Sequence, residues 1–311
     1  MDKIVFFHMN QLGDLLFSIP VLKAAKNELN AEIYSVVKPG ITPLLTASGL
    51  VDIVISKDLP FFELVKELKT KKFDEAVLFS ESPSSILAAY FSGIKERAGF
   101  GTSSLSFFLT KKSKRTGVPS VFNNKALALD IGLKNIPQDY TDILKIPNEN
   151  ISNVEKWFKE NLLNPLKTVA VSTGASKNRA DKCLSAEKWV EVIDALYEKG
   201  ISCVLTGAAW ERATLSLISE QCKIKPKIFT PENGILDIAA FFKSVRLFVG
   251  IDSGPMHLAA AVGAKCVAVF GHTDPAQVGP MPLDKHIVLK KDNISLISAD
   301  DIIQKTLQTL Q

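Results

Sequence analysis

Two rhythms of apolar positions alternate along this chain. Short unbroken runs, of the length of a strand buried on both faces, are followed by stretches in which apolar residues recur every three or four positions. In the first half the runs are Lys3 to Phe7, Ala31 to Val37, Ile53 to Ser56 and Phe73 to Phe79. Helical spacing fills the intervals. Asp14 to Leu29 carries Leu15, Ile19, Leu22 and Leu29 on one side, and Phe61 to Lys71, Ser84 to Phe91 and Val121 to Ile131 follow. The second half repeats the logic, with runs at Thr168 to Ser172, Ser202 to Leu205, Lys227 to Phe229, Leu247 to Val249 and Cys266 to Phe270. Helices are predicted there at Asn153 to Leu163, Ala186 to Lys199, Glu211 to Cys222, Leu236 to Val245, after Gly254 to Ala261, and at Asp300 to Leu310. Strands that alternate with helices predict parallel sheets with crossover helices, an α/β protein.

The rhythm breaks twice. Residues 101–120 hold Leu105-Ser-Phe-Phe-Leu109 followed by Lys111, Lys112, Lys114 and Arg115. Residues 132–150 are Pro- and Asn-bearing and read as a linker. That divides the chain into two Rossmann-like domains facing a cleft, 1–150 and 151–311, with the last helix a candidate to pack back on the first.

Composition adds limits. The 311 residues are 46 % hydrophobic and 23 % charged, which is globular and leaves room for two domains. A net charge of +4 suits an anionic ligand or an anionic membrane surface and is too small to argue for nucleic acid. Cys183, Cys203, Cys222 and Cys266 form no C-x-x-C pair, so neither a disulfide framework nor a zinc pattern is indicated, and reduced thiols in the cytoplasm are expected. No signal peptide and no spanning helix are expected.

The chemistry concentrates where predicted strands end. Leu247-Phe-Val-Gly-Ile-Asp252-Ser253-Gly254-Pro255-Met-His257 reads strand, tight turn, helix. Ser253 or Gly254 suits the N-cap and Pro255 the first helical position. The free N–H groups of such a helix start form an anion site. His257, beside Asp252, is either a sugar or phosphate contact or a satisfied helix histidine. Earlier, Leu12-Gly13-Asp14 follows the first strand and the polar loop His8-Met-Asn10-Gln11. Gly13 suits a sharp turn, and Asp14 a helix start that favours a carboxylate. The segment Ser172-Thr-Gly-Ala-Ser176-Lys-Asn-Arg-Ala-Asp-Lys182 is hydroxyl-rich and basic, as a diphosphate requires, or is simply a solvated loop. Thr206-Gly-Ala-Ala-Trp-Glu211-Arg212 closes the next strand, where Glu211 is either a ligand contact or a helix-start carboxylate beside Arg212. No Gly-x-Gly-x-x-Gly follows the first strand, which disfavours a dinucleotide oxidoreductase. No Asp-x-Asp and no His/Cys cluster of ligand spacing occurs, so no metal and no cofactor is expected.

These motifs resemble glycosyltransferase family 9, the bacterial lipopolysaccharide heptosyltransferases. The match lies in Asp252-Ser-Gly-Pro-Met-His257-Leu-Ala-Ala-Ala261 with Gly271-His-Thr-Asp-Pro275, in Leu12-Gly13-Asp14 with Pro20 two turns on, in Lys182 followed by Trp189, and in Gly93-Ile-Lys-Glu-Arg97-Ala-Gly-Phe100. It runs from residue 1 to about residue 280 and is weak across 101–150. The chain departs at Leu184-Ser185, where the family often has Trp-Pro, and in its loop His8 to Gln11, usually basic and Ser-rich.

The resemblance implies the GT-B architecture and an inverting transfer of heptose from ADP-L-glycero-D-manno-heptose to the inner core of lipopolysaccharide, at Kdo or a first heptose. It implies Asp14 as general base, with Gly13, Asn10 and Arg97 on the acceptor side. Ser176, Lys182, Glu211, Asp252, Ser253, Gly254 and His257 would then hold the donor. The partners implied are a nucleotide-sugar, a lipid-linked sugar acceptor and the inner face of the bacterial inner membrane, met peripherally by a monomer. The alternatives are a nucleotide-sugar isomerase or epimerase of the same build and a non-catalytic nucleotide-binding protein. For the membrane, Leu105 to Leu109 with Lys111, Lys112, Lys114 and Arg115 reads as an apolar wedge with a basic collar. The competing reading puts Phe107 and Phe108 in the core.

Overall fold

A computed structural model describes residues 2–174, 179–230 and 234–311, and the chain divides into two compact units, Met1–Lys145 and Ile146–Gln311. In the first unit the chain runs β1 (Asp2–Phe7), α1 (Leu12–Glu28), β2 (Ala31–Val37), α2 (Thr42–Ser48), β3 (Ile53–Ser56), α3 (Phe61–Lys71), β4 (Glu75–Leu78), α4 (Pro83–Phe91), β5 (Glu96–Phe100), β6 (Lys111–Ser113) and α5 (Val121–Asp130). All six strands are parallel, in the order β3-β2-β1-β4-β5-β6.

The second unit runs α6 (Asn148–Glu160), β7 (Thr168–Ser172), α7 (Ala186–Glu198), β8 (Ser202–Thr206), α8 (Arg212–Gln221), β9 (Lys227–Phe229), α9 (Ile235–Ser244), β10 (Leu247–Ile251), α10 (Gly254–Ala261), β11 (Cys266–Phe270), α11 (Pro275–Val278), β12 (Ile287–Lys290) and α12 (Ala299–Leu310). Its parallel sheet has the order β12-β11-β10-β7-β8-β9. Counted within the unit and read from the β9 edge, that is again third, second, first, fourth, fifth, sixth. Each half is therefore a doubly wound sheet of the nucleotide-binding order. In such sheets the order reverses between the first and fourth strands, and ligands bind at the carboxyl edge there. The two switch points are β1/β4 and β7/β10.

The central strands are mainly apolar because helices cover both of their faces. Every residue of β7, β10 and β11 is buried. Trp189 of α7 is fully buried among Val169, Val171, Leu205 and Val249. Gly250 in β10 has no room for a side chain. A Cβ there would lie 2.8 Å from both the Ser172 carbonyl oxygen and the Phe248 ring, so the close approach of β10 to β7 depends on glycine. The last helix, α12, lies on α7, β11 and β12 of its own unit. Ser82, Ser120 and Ser298 cap the starts of α4, α5 and α12 by accepting from backbone N–H groups.

Several elements depart from the sequence pattern. α1 starts at Leu12, so Gly13 is buried inside its first turn instead of forming the turn before it. The residues read as a linker end earlier, since α6 starts at Asn148. β5 and β6 lie where a motif and a basic collar had been read, and α2, α11 and β12 had no predicted counterpart. Leu105 and Phe108 pack on the core of the first unit and Leu109 is buried in it, whereas Phe107 points outward. The core reading therefore holds for Phe108 and not for Phe107. Among the described residues no helix is long and apolar enough to cross a membrane.

Candidate active site

At the first switch point β1 ends on His8, which is fully buried. Its Nδ1 lies 2.9 Å from Ser18 Oγ, and its Nε2 lies 3.0 Å from Ser35 Oγ. The Ser18 hydroxyl donates its one hydrogen to the Leu15 carbonyl at 2.6 Å. Ser18 must therefore accept from His8, which puts the proton on Nδ1 and leaves Nε2 to accept from Ser35. Burial, helped by the Lys57 charge, pushes the His8 pKa down to about 3, so the ring is a neutral strut. It ties β1 to α1 and β2 and so fixes the loop that leads to Asp14. Asn10 and Gln11 on that loop are exposed.

Asp14 is half-buried in the first turn of α1, where the helix dipole favours its ionised form. Two cations from the sheet edges act on it. Lys57 directly follows β3 and bonds the His8 carbonyl. Burial, and then the Lys38 charge, pull the Lys57 pKa down to about 8, against the opposing influence of Asp14. Arg115, just after β6, is paired with Glu81, which also accepts from Thr102. Burial lowers the Arg115 pKa, and Asp14 again acts in the opposite direction. The sheet thus gathers a carboxylate and two cations from three strand ends.

Arg97 is not brought there. Its Nε donates to the Phe108 carbonyl at 2.7 Å, its Nη1 donates to the Lys95 carbonyl at 2.8 Å and to that of Ile94, and the guanidinium stacks 5.5 Å from the Tyr90 ring centroid. With three carbonyls to hold, Arg97 clamps the turn before β5 to the 3₁₀ turn Ser106–Phe108, near the start of β5 and not at a strand's carboxyl end.

At the second switch point three loops converge. Lys182 ends a short turn after β7, and its ammonium is bonded to Asp252 Oδ2 just past β10. Thr273, past β11, donates to the same oxygen at 2.7 Å. The Asp252 N–H donates to the Val269 carbonyl at 3.0 Å, which anchors the backbone. Both members of the ion pair are mostly buried, so water screens it little. Ser253 is the N-cap of α10 as expected, but its hydroxyl bonds the Ile251 carbonyl at 3.1 Å instead of capping. Pro255 has no N–H, so the helix start keeps the Gly254 and Met256 N–H groups without a side-chain cap. His257 is buried one turn into α10. Burial drives its pKa down to about 4, with Asp252 raising it and Lys182 lowering it, so it is a neutral imidazole that feels both charges.

Beside this cluster Arg179 forms a two-point contact with Asp181 at 3.1 and 3.2 Å, and His272 Nε2 lies 3.3 Å from the Arg179 guanidinium. Glu211 reaches back over the ends of β7 and β8. Its Oε2 accepts from the Ala208 N–H at 2.7 Å. A Cβ on Gly174 would fall 1.6 Å from Glu211 Oε1, and one on Gly207 2.8 Å from Oε2, so both glycines make room for this carboxylate. Burial raises the Glu211 pKa, and the Ala208 hydrogen bond partly offsets that. Arg212 turns away to Thr230 at 2.7 Å, while Glu211 caps its own helix start through the Ala208 N–H, so the reading of Glu211 as a helix-start carboxylate holds without an Arg212 contact. Ser176 lies outside the described residues.

Sequence reasoning did not select Lys57, Arg179 or Thr273, nor Arg115 as a neighbour of Asp14. Thr273 had a signal, since it lies in the quoted Gly271 to Pro275 turn. Among the described residues no three His, Cys, Asp or Glu side chains gather as a metal would need.

Two doubly wound units, each with ionisable side chains at its switch point, define the class of nucleotide-binding α/β proteins. The sequence profile of glycosyltransferase family 9 (heptosyltransferase) matches residues 61–300, and the chain belongs to that family. It is a glycosyltransferase. Lipopolysaccharide heptosyltransferase 3 of Escherichia coli is 25 % identical over 84 % of this chain and 81 % of the relative. The protein of the same name from strain K12 is 31 % identical over 40 % of this chain and 42 % of its own length. Among solved structures, a family 9 glycosyl transferase from Veillonella parvula superposes with a TM-score of 0.87 at 19 % identity, covering 99 % of this chain and 97 % of the other. The ADP-heptose lps heptosyltransferase II of E. coli gives 0.82 at 20 % identity, covering 99 % and 98 %. The UDP-GlcNAc 2-epimerase of Methanocaldococcus jannaschii shares the fold more loosely, at 0.59 and 13 % identity over 100 % and 93 %.

Proposed function

We propose that this glycosyltransferase moves a heptose from ADP-L-glycero-D-manno-heptose to the inner core of lipopolysaccharide, at Kdo or a first heptose, with inversion at the anomeric carbon. The observation that carries this is the Lys182–Asp252–Thr273 junction at the mouth of α10 in a family 9 chain. A diphosphate placed there meets one ammonium and the uncapped N–H groups of a helix start. In this reading Glu211, at the neighbouring strand end, accepts from sugar hydroxyls of the nucleoside. In the reaction the acceptor hydroxyl oxygen attacks the anomeric carbon and gives its proton to Asp14. The bond to the diphosphate breaks, and ADP leaves with the electron pair. Lys182 and the α10 start stabilise the charge that develops on the leaving oxygen. No metal or cofactor takes part in this scheme. The chain works in the cytoplasm, peripherally at the inner face of the bacterial inner membrane, where a lipid-linked acceptor is found.

The fold shared with an epimerase supplies the second reading. Acceptor dependence separates the two. Release of ADP from ADP-heptose is expected only when deacylated inner-core saccharide is present, and the saccharide should gain the mass of one heptose. Alteration of the donor without any acceptor would favour the epimerase reading and reject transfer.

A further inference from the structure

The first unit carries a continuous band of six aromatic rings that its core does not use up. In order the rings are Phe62, Phe61, Phe91, Tyr90, Phe108 and Phe107, and successive centroids lie 5.5, 6.5, 5.4, 4.5 and 4.3 Å apart. They come from α3, α4 and the 3₁₀ turn Ser106–Phe108. Phe61 and Phe108 root the band in the core. The other four stand out, with Phe62 84 %, Phe107 65 %, Phe91 55 % and Tyr90 42 % exposed. Isolated exposed rings are ordinary, but a contiguous set of four marks an interaction surface.

The charge around the band identifies the partner. Segments 61–72 and 90–114 contain nine lysines and arginines against three glutamates, Glu63, Glu67 and Glu96. This local excess of six is larger than the excess of four for the whole chain, so the rest of the molecule is net acidic. Two of the lysines can be placed on the face of the band. Gly99 pairs with Lys112 in the sheet, and a Cβ on Gly99 would point at the Leu109 side chain of the core beneath the band. Registered partners in a sheet share a face, so Lys112 lies on that face. Lys114 shares it by the two-residue repeat, whereas Ser113 faces Asp130 on the other side. Arg115 is outside the collar because it is paired with Glu81.

We infer that this band docks the protein on an anionic lipid bilayer, its phenyl rings entering the headgroup boundary and its lysines meeting the lipid phosphates. The inference deepens the proposed function, whose acceptor is lipid-linked. A second copy of the chain fits poorly, since face-to-face pairing would bring two basic excesses together. Stacked nucleic-acid bases fit poorly too. The contacts Phe61–Phe62, Phe61–Phe91 and Tyr90–Phe91 are edge-to-face at 77°, 90° and 70°, so neighbouring rings already cover part of the ring faces.

The test is co-sedimentation, without substrate, with phosphatidylcholine vesicles that contain or lack phosphatidylglycerol. The parent protein should pellet with the anionic vesicles at low salt and not with the neutral ones. Phe62→Ser/Phe91→Ser/Phe107→Ser should lower binding about tenfold or more, and so, independently, should Lys112→Gln/Lys114→Gln. Both variants should keep the parent's unfolding temperature and its rate on deacylated acceptor. The inference fails if the parent ignores anionic vesicles at low salt or if both variants pellet like the parent. It also fails if the band proves to be covered by a concentration-dependent dimer, or if an oligonucleotide binds as well as the vesicles and is lost with the same changes. If deacylated acceptor is never used, the functional reading fails, and the vesicle result stands apart from it.

Discussion

Asp14→Asn is expected to reduce heptose transfer by roughly 10²–10⁴-fold while leaving ADP affinity unchanged. Asn is nearly isosteric with Asp and can occupy the same half-buried place in the first turn of α1. What is lost is the ability to accept a proton. The donor residues lie in the other unit, at the ends of β7, β8 and β10, so their contacts should not change. Two readings decide the matter, the initial rate of transfer to deacylated acceptor and a calorimetric titration with ADP. A rate within a few-fold of the parent would remove Asp14 from the role of base. Parallel loss of rate and of ADP binding would point to damage spread beyond the site.

Lys182→Ala is expected to weaken ADP binding by about 1.5–3 kcal/mol, the range for a charge-assisted contact. That is roughly ten- to a hundredfold in Kd. The structure adds a second consequence. The ammonium is bonded to Asp252, a buried carboxylate that would keep the Thr273 hydroxyl as a donor but lose its bonded cation. A negative charge stripped of its cation beside the diphosphate would repel it, so the upper part of the range is the more fitting expectation. Calorimetry with ADP, alongside thermal unfolding of both proteins, separates lost contact from lost fold. Unchanged ADP affinity in a folded variant would reduce the loop after β7 to an ordinary connection.

The parts that could be read from sequence share one physical property. A central parallel strand is buried on both faces, so β7 and β11 appear as mainly apolar runs with correct ends, and β2 as one interrupted by Glu32 and Ser35. Edge strands carry that signature unevenly: β3 and β9 lie at sheet edges and still show correct ends, whereas β6 and β12 do not. β6 is Lys111, Lys112 and Ser113, and its membership of the sheet depends on pairing with β5 rather than on any apolar residue of its own. β12 is only partly buried, and α2 is a short helix opened by Thr42 and Pro43. The site divides in the same way. Asp14, Lys182, Glu211 and Asp252 each follow a strand directly enough to be picked out, because a doubly wound sheet puts its chemistry at strand ends. Lys57 and Arg115 follow β3 and β6, the two edges of the first sheet. Their influence on Asp14 comes from the order of the strands across the sheet, which no local spacing encodes. Arg97 went the other way. A charged residue in a family motif looked like a ligand contact, but three backbone carbonyls near the start of β5 claim it.

The most direct test of the central claim is the anomeric configuration of the transferred sugar, determined by NMR on the product made from ADP-heptose and deacylated inner core. A single displacement, with Asp14 taking the acceptor proton and ADP leaving from the opposite side, predicts a glycosidic bond of configuration opposite to that of the donor. A product that retains the donor's configuration would require two displacements or a different nucleophile, and would contradict the scheme.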